Sequence, residues 1–317
     1  MKNLILKART QNDIDNRVAR VLRDLGNPPP PLDLQQVRAL LELDRAYYTG
    51  NDDGILAQMI SKIKVAGKQV IRRPSLLKDV IKKFDLRALY LPDQKRIMLD
   101  QSVPEKKHRW LEAHEIAHNL LPWHGSVMFG DNEHTVTPAC HATIEAEANF
   151  TAGRLLFLRG RFVEEAKSGS VRFSEVKRLH PVFGNTLTST LWRYVENVFD
   201  DIPLIGVITC HPHVSRRPSH FDPNDPCRYF IQSPRFAAMF GTLTEVEVFG
   251  NIEGYCGAQR GGPIGEAEVI LCDDNGDRHV FFFETFFNRH EALTLGVYVR
   301  KLTSTVAVAS VCLESST

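Results

Sequence analysis

The segment WLEAHEIAHNL, at 110–120, carries two histidines four positions apart and a glutamate directly after the first. Residues four apart lie on one face of an α-helix, one turn above the other. His114 and His118 would therefore present their imidazoles to a single point, as two ligands of one metal ion must, with Glu115 beside them. Because such a motif also occurs by chance, a metal site needs a third ligand.

That third ligand is expected in TIEAEANFTAG, at 143–153, where the sequence predicts a second helix. Glu145 is the preferred ligand. Asn149 lies one turn later on the same face, where its amide could hold the free N–H of a ligand histidine. Glu147 is the competing ligand, but it points roughly 160 degrees away from Asn149 around the helix. Two histidines and one glutamate leave a fourth zinc position open, which is typical of catalytic sites.

The neighbouring segments have patterns of their own. Apolar residues at helical spacing predict helices over DIDNRVARVLRDLG (13–26) and over LQQVRALLELDRAYY (34–48), the second capped by Asp33. The alternating runs of LRALYLPDQKRIMLDQSV (86–103) predict a β-hairpin. FSEVKRLHPVFGNTLTSTLWRYVENVF (173–199) predicts two short helices separated by a Gly-Asn turn.

Beyond about residue 200 the chain changes character, because β-type runs dominate and their connections are rich in Gly, Pro and Asp. This change predicts a domain boundary. The runs are LIGVITC (204–210), TEVEVFG (244–250), EAEVILC (266–272), RHVFFFETFF (278–287) and TLGVYV (294–299).

The whole-chain composition is that of a folded protein with real cores. The chain has 317 residues, of which 43% are hydrophobic and 24% charged. Its net charge of +1 gives no global field for nucleic acid or membrane. The six cysteines contain no CxxC pair and are expected to be reduced thiols. Neither a signal peptide nor a transmembrane segment is recognisable, so we expect a cytoplasmic protein that does not enter the membrane.

Two segments together resemble the ImmA/IrrE family of zinc metallopeptidases. They are LYLPDQKRIMLDQSVPEKKHRWLEAHEIAHNLL (89–121) and EAEANFTAGRLLF (145–157), and the resemblance covers about residues 10 to 160. The chain departs from the family at Thr151 and Gly153, where alanine is more frequent. We interpret this departure as a difference in packing.

The resemblance implies a peptidase of gluzincin type with one Zn²⁺ per chain, held by His114, His118 and Glu145. Glu115 would be the catalytic glutamate. Zinc lowers the pKa of a water molecule, and Glu115 would take the water's proton and deliver it to the leaving amine. The donor that stabilises the oxyanion is left open among four candidates, namely Tyr90, His124, His134 and His141.

We therefore predict an α+β protein with three parts. A mainly helical zinc metallopeptidase domain with a small β-sheet would occupy 1–172, and a helical HTH-like module 173–200. A C-terminal α/β sensor-like domain, for which a GAF-like fold is one candidate, would occupy 201–317. The resemblance implies that the substrate is an HTH transcriptional repressor. Its cleavage would derepress a stress-response, mobile-element or antiphage operon after a signal such as single-stranded DNA.

Three alternatives stand beside this interpretation. Cys140 precedes Glu145 in a predicted loop, and its thiolate could occupy the open zinc position and inhibit the enzyme; it could equally be a small buried residue. The basic run at 62–83 could meet nucleic acid, although most such runs are solvated faces. The alternative function is a transcription regulator that binds DNA through the middle helices and keeps a non-catalytic zinc site.

Overall fold

A computed structural model describes residues 2–49, 88–91, 94–124 and 138–302. The chain divides into two compact units, of which one comprises Lys2–Val198 and the other begins at Phe199. Both units contain helices and strands, which confirms the α+β class. The residues of the predicted HTH-like module up to Val198 belong to the first unit.

The described part of the first unit contains helices α1 to α7 and strands β1 to β3. In chain order they are α1 (Ala8–Asp24), α2 (Leu34–Leu40), β1 (Asp44–Tyr48), β2 (Ala88–Leu91), β3 (Arg96–Asp100), α3 (Glu105–Leu120), α4 (Pro138–Leu156), α5 (Gly160–Lys167), α6 (Phe173–Val182) and α7 (Leu187–Asn197).

A three-stranded sheet lies beside α3, in the order β1-β3-β2. Strands β2 and β3 are antiparallel, which confirms the predicted hairpin, whereas β1 runs parallel to β3. The helix predicted over 34–48 is therefore confirmed over Leu34–Leu40 and wrong over Asp44–Tyr48, which form a strand. Asp33 does cap α2, by accepting from the amide of Gln35 at 2.8 Å. The helix then stops because Glu42 has a φ of 55° and the following residues pair with β3.

A buried carboxylate ties α3 to the elements before it. Glu112 is 3% exposed and accepts hydrogen bonds from Arg38 on α2, at 2.6 Å, and from Arg45 on β1, at 2.8 Å. A carboxylate removed from water needs such charged donors to offset the loss of hydration. Glu112 therefore fixes the position of α3, the helix that carries the two histidines, relative to α2 and β1.

The second unit is built on a five-stranded antiparallel sheet in the order β5-β4-β8-β7-β6. Buried phenylalanines fill the space between this sheet and two helices. The elements are β4 (Leu204–Thr209), β5 (Cys227–Gln232), α8 (Pro234–Met239), α9 (Glu245–Tyr255), β6 (Gly262–Cys272), β7 (Arg278–Phe287) and β8 (Ala292–Lys301).

Four of the five predicted C-terminal strands are present, and one prediction is wrong. TEVEVFG, at 244–250, begins α9 instead of forming a strand. Thr244 and Glu247 form a capping box, in which the threonine accepts from the Glu247 amide and the glutamate accepts from the Thr244 amide. Strand β5 was not predicted. The GAF-like assignment stays a prediction.

None of the described helices is long and apolar enough to cross a membrane. The cysteines whose side chains are described are free thiols, in agreement with the prediction made from their spacing. The basic run at 62–83 lies outside the described residues.

Candidate metal centre

Helix α3 is largely buried and carries both apolar and polar residues into the interior of the unit. Ala113, Ile116 and Ala117 are fully buried and pack the helix into the unit. His114 and His118 lie one turn apart, with their Nε2 atoms 3.2 Å from each other. The two imidazoles therefore converge on one point, as the four-residue spacing predicts.

Helix α4 packs against α3 and brings a carboxylate to the same point. Glu145 Oε2 lies 3.2 Å from His114 Nε2, and its Oε1 lies 3.8 Å from His118 Nε2. In a tetrahedral zinc site with bonds of about 2.0 Å, ligand atoms are about 3.3 Å apart. His114 Nε2 is thus 3.2 Å from both His118 Nε2 and Glu145 Oε2, close to that spacing, and one donor atom of each residue lies within 4.8 Å of the other two. Imidazole nitrogen and carboxylate oxygen are both zinc ligands.

Asn149 supports the first histidine from outside this group. Its Oδ1 lies 3.1 Å from His114 Nδ1, so the amide oxygen can accept the proton on that nitrogen and leave Nε2 free for a metal ion. Arg193 of α7 in turn donates to the backbone carbonyl of Asn149, at 3.3 Å. Asn149 therefore contacts a histidine of the pair, as its place one turn after Glu145 predicts.

Glu147 lies away from the three donor atoms. Its Oε2 accepts from Trp123 Nε1, at 2.7 Å, and lies 2.9 Å from His124 Nε2. The structure therefore brings His114, His118 and Glu145 together and gives Glu147 different partners, as the helical rotation between the two glutamates predicts.

The contact of His124 with His118 was not predicted from the sequence. His124 is fully buried, and its Nδ1 lies 3.0 Å from Nδ1 of His118, on the side of that ring opposite to Nε2. Because His124 contacts the outer nitrogen of His118 and has no exposed surface, it is wrong as a candidate oxyanion donor. The short spacing in HNLLPWH, 118–124, was the only signal for this contact.

Two other oxyanion candidates and the cysteine are only partly described. Tyr90 is buried, and its hydroxyl accepts from Asn119 at 2.6 Å. His134 and the side chain of His141 lie outside the described residues. Cys140 belongs to the first turn of α4 and not to a loop, which corrects its predicted setting. Its side chain is also outside the description, so its inhibitory role stays a prediction.

Burial dominates the electrostatics of Glu115. Removal from water raises the pKa of Glu115 to about 7, although the His114 charge and a hydrogen bond from the Tyr90 amide oppose the shift. Burial also lowers the pKa of His124, against the effect of Glu147. For His114, burial is outweighed by the hydrogen bond to Glu145 and by the charges of Glu115 and Glu145, so its pKa is raised.

The second unit contains an open pocket of about 920 Å³. It lies where β6 begins and β7 ends, and two arginines, Arg260 and Arg289, flank half-buried Phe286 and Phe287. Within the part of the chain that the structure describes, neither guanidinium has an acidic partner. The pocket therefore presents positive charge beside an aromatic surface.

No protein-family model and no curated protein sequence matches this chain. Among solved structures, it is similar to one described as a Mycobacterium tuberculosis transcriptional regulator, with 13% sequence identity and a TM-score of 0.47. The alignment covers 96% of each chain. A structural similarity of this strength does not assign a function, so function must be inferred from the residues of the site.

Proposed function

We propose that this protein is a zinc-dependent endopeptidase that cleaves a partner protein, an HTH-type transcriptional repressor. The observation that carries the proposal is the convergence of His114, His118 and Glu145 beside the buried carboxylate of Glu115. Within the described residues, no fourth histidine, cysteine or acidic side chain joins the three donor atoms. A three-ligand site leaves room for water, which favours catalysis over a structural zinc site.

Each residue of the candidate metal centre would have a task in peptide hydrolysis. Zinc bound by the three donors would activate a water molecule and polarise the peptide carbonyl. Glu115 would accept the proton of that water on a carboxylate oxygen and pass it to the amine of the departing peptide. Asn149 would hold His114 in the tautomer that keeps its Nε2 free.

Strand β2 is the proposed binding edge for the peptide. It pairs with β3 on one side, and within the described residues no strand pairs with its other side. The Tyr90 amide donates to Glu115, so the strand runs beside the catalytic carboxylate. An extended peptide that added to this edge by main-chain hydrogen bonds would pass the site with little need for a particular sequence.

The resemblance to the ImmA/IrrE family supports the choice of a repressor as substrate and of a signal that controls cleavage. The pocket flanked by Arg260 and Arg289 is the proposed receptor for that signal. A guanidinium matches a phosphate group in geometry and charge, and an aromatic ring can stack on a base. Short single-stranded DNA is therefore the first ligand to test.

The substitution Glu115→Gln tests the proposal. The neutral amide cannot take a proton from water, so we expect cleavage of the proposed HTH-type repressor substrate to fall by about 10² to 10⁴-fold, with the fold and the bound zinc retained. Glu164→Gln is the matched control, because Glu164 is exposed on α5. Undiminished cleavage by the Glu115→Gln variant would rule out the proposed role of this carboxylate.

The alternative, a DNA-binding regulator, has less support from the residues. The sequence of α7 contains a single basic residue, Arg193. This side chain is 3% exposed, forms an ion pair with Glu196 and donates a hydrogen bond to Asn197. A recognition helix needs side chains free to reach base edges. Regulatory output retained by the Glu115→Gln variant would favour the regulator.

A further inference from the structure

A line of three buried side chains runs from the proposed metal site into the protein. His118 is the second proposed ligand, His124 follows it in the short segment after α3, and Glu147 comes from α4. The two histidine Nδ1 atoms are 3.0 Å apart, and His124 Nε2 is 2.9 Å from Glu147 Oε2. The exposed fractions of the three residues are 7%, 0% and 8%, so water is largely excluded from these contacts.

The two hydrogen bonds can form together with neutral rings in one arrangement of protons. A carboxylate accepts, so His124 Nε2 must carry a hydrogen, and its Nδ1 is then an acceptor. His118 must therefore donate from Nδ1, which leaves its Nε2 without a hydrogen. That nitrogen is the one that faces His114 and Glu145. Glu147 thus determines, through His124, which nitrogen of His118 can bind a metal ion.

We propose that His124 and Glu147 are positioning residues that hold His118 in its metal-binding tautomer and orientation. The inference rests on the proposed metal site at His118 but not on peptide cleavage. Outer partners of this kind change metal affinity by about 10 to 100-fold. Glu147, which competed with Glu145 in the sequence, would then act on the metal ion through two imidazoles and not as a ligand.

Trp123 provides a control within the same cluster. Its Nε1 donates to the same Glu147 oxygen, at 2.7 Å, but the residue is not part of the line to His118. The substitution Trp123→Phe removes one hydrogen bond from the carboxylate and leaves the contact with His124 in place. It therefore separates the loss of any buried hydrogen bond from the loss of the line itself.

The test is the affinity of the full-length protein for Zn²⁺ and Co²⁺, measured by competition with a chromophoric chelator, together with the visible spectrum of the Co²⁺ form. We expect His124→Phe to weaken binding by about 10 to 100-fold and to alter the Co²⁺ spectrum. Glu147→Gln should weaken it less, because the amide oxygen can still accept from His124. His124→Asn should recover part of the loss, since its carbonyl can accept from His118. Trp123→Phe should stay close to the wild type.

The melting temperature of each metal-free variant shows whether it folds. Wild-type affinity and spectrum in a folded His124→Phe protein would overturn the inference while leaving the proposed peptidase intact. Equal losses in the His124→Phe and Trp123→Phe proteins would overturn it as well, since the effect would then be structural. If the affinities follow the expected order but Glu115→Gln still cleaves, the inference stands and the proposed peptidase mechanism fails. A wild-type protein that binds neither metal would overturn both.

Discussion

At the scale of single residues, Glu145 and Glu147 show how two positions of one helix acquire different tasks. They are two residues apart on α4, which separates their directions by about 160 degrees. Glu145 meets the Nε2 atoms of the histidine pair, whereas Glu147 meets Trp123 and His124. Helical rotation shows that the two glutamates cannot share one face, and the position of Asn149 one turn after Glu145 favoured Glu145 as the ligand. Helical rotation cannot identify the partners of Glu147, because they belong to another segment.

Gly153 is a position for which the structure explains the absence of a side chain. A Cβ atom at this position would lie 1.7 Å from a terminal nitrogen of Arg193. The guanidinium cannot easily move aside, because it is buried, forms an ion pair with Glu196 and donates to Asn197 and to the Asn149 carbonyl. The missing side chain therefore makes room for the arginine that joins α7 to α4.

The substitution Gly153→Ala should destabilise the first unit by about 3 kcal/mol, because it displaces a buried charge from its partners. An alanine in a helix interior usually has the opposite effect, a gain of about 1 kcal/mol. All three tryptophans of the chain lie in this unit. Denaturant unfolding followed by tryptophan fluorescence therefore measures the change.

Gly160→Ala is the control for this substitution. Its added Cβ would meet only a side-chain oxygen of Glu164, at 4.0 Å. The stability of this variant should change by less than about 1 kcal/mol. A Gly153→Ala protein as stable as the Gly160→Ala protein would show that Arg193 is not held as described.

At the scale of elements, α9 shows where a local pattern misleads. Alternation in TEVEV has the period of a half-buried strand, which produced the wrong prediction. The same residues contain the threonine and glutamate of a capping box, three positions apart, which begins a helix. The capping box was visible in the sequence, so the correct choice depended on giving the helix signal more weight.

The substitution Thr244→Ala should destabilise α9 by about 1 kcal/mol, since the helix loses the side chain that caps the Glu247 amide. Hydrogen exchange of the α9 amides, followed by mass spectrometry, should become faster. Exchange in α3 and α4 should not change, because these helices belong to the other unit. The exposed Ser219→Ala is the control, and equal exchange in both variants would contradict the assignment of the cap.

Strand β1 is an element that local sequence patterns could not predict. Its residues continue the apolar spacing of α2, so the helix was predicted to extend through them. They form a strand because Arg96–Asp100 offers a parallel partner. That partner lies about fifty positions further along the chain, so no local pattern could reveal it, and tertiary pairing overrides the weak helical preference.

At the scale of the whole molecule, the predictable features are those set by local periodicity. The convergence of His114, His118 and Glu145 from two helices, the hairpin, the paired helices α6 and α7 and most C-terminal strands agree with the sequence patterns. The contacts of His124 with His118, of Arg193 with Gly153 and of Glu112 with two arginines join segments distant in sequence or in different elements. These contacts depend on tertiary packing, which the periodicity of a single sequence does not reveal.

The proposed metal site is tested by the metal content of the purified full-length protein, measured by elemental mass spectrometry after dialysis. We expect about one zinc ion per chain in the wild type and in the Glu164→Ala control. We expect far less in the Glu145→Ala protein, because two histidines alone hold the ion weakly. A wild type without stoichiometric metal, or a folded Glu145→Ala protein that keeps it, would show that His114, His118 and Glu145 do not form the proposed site.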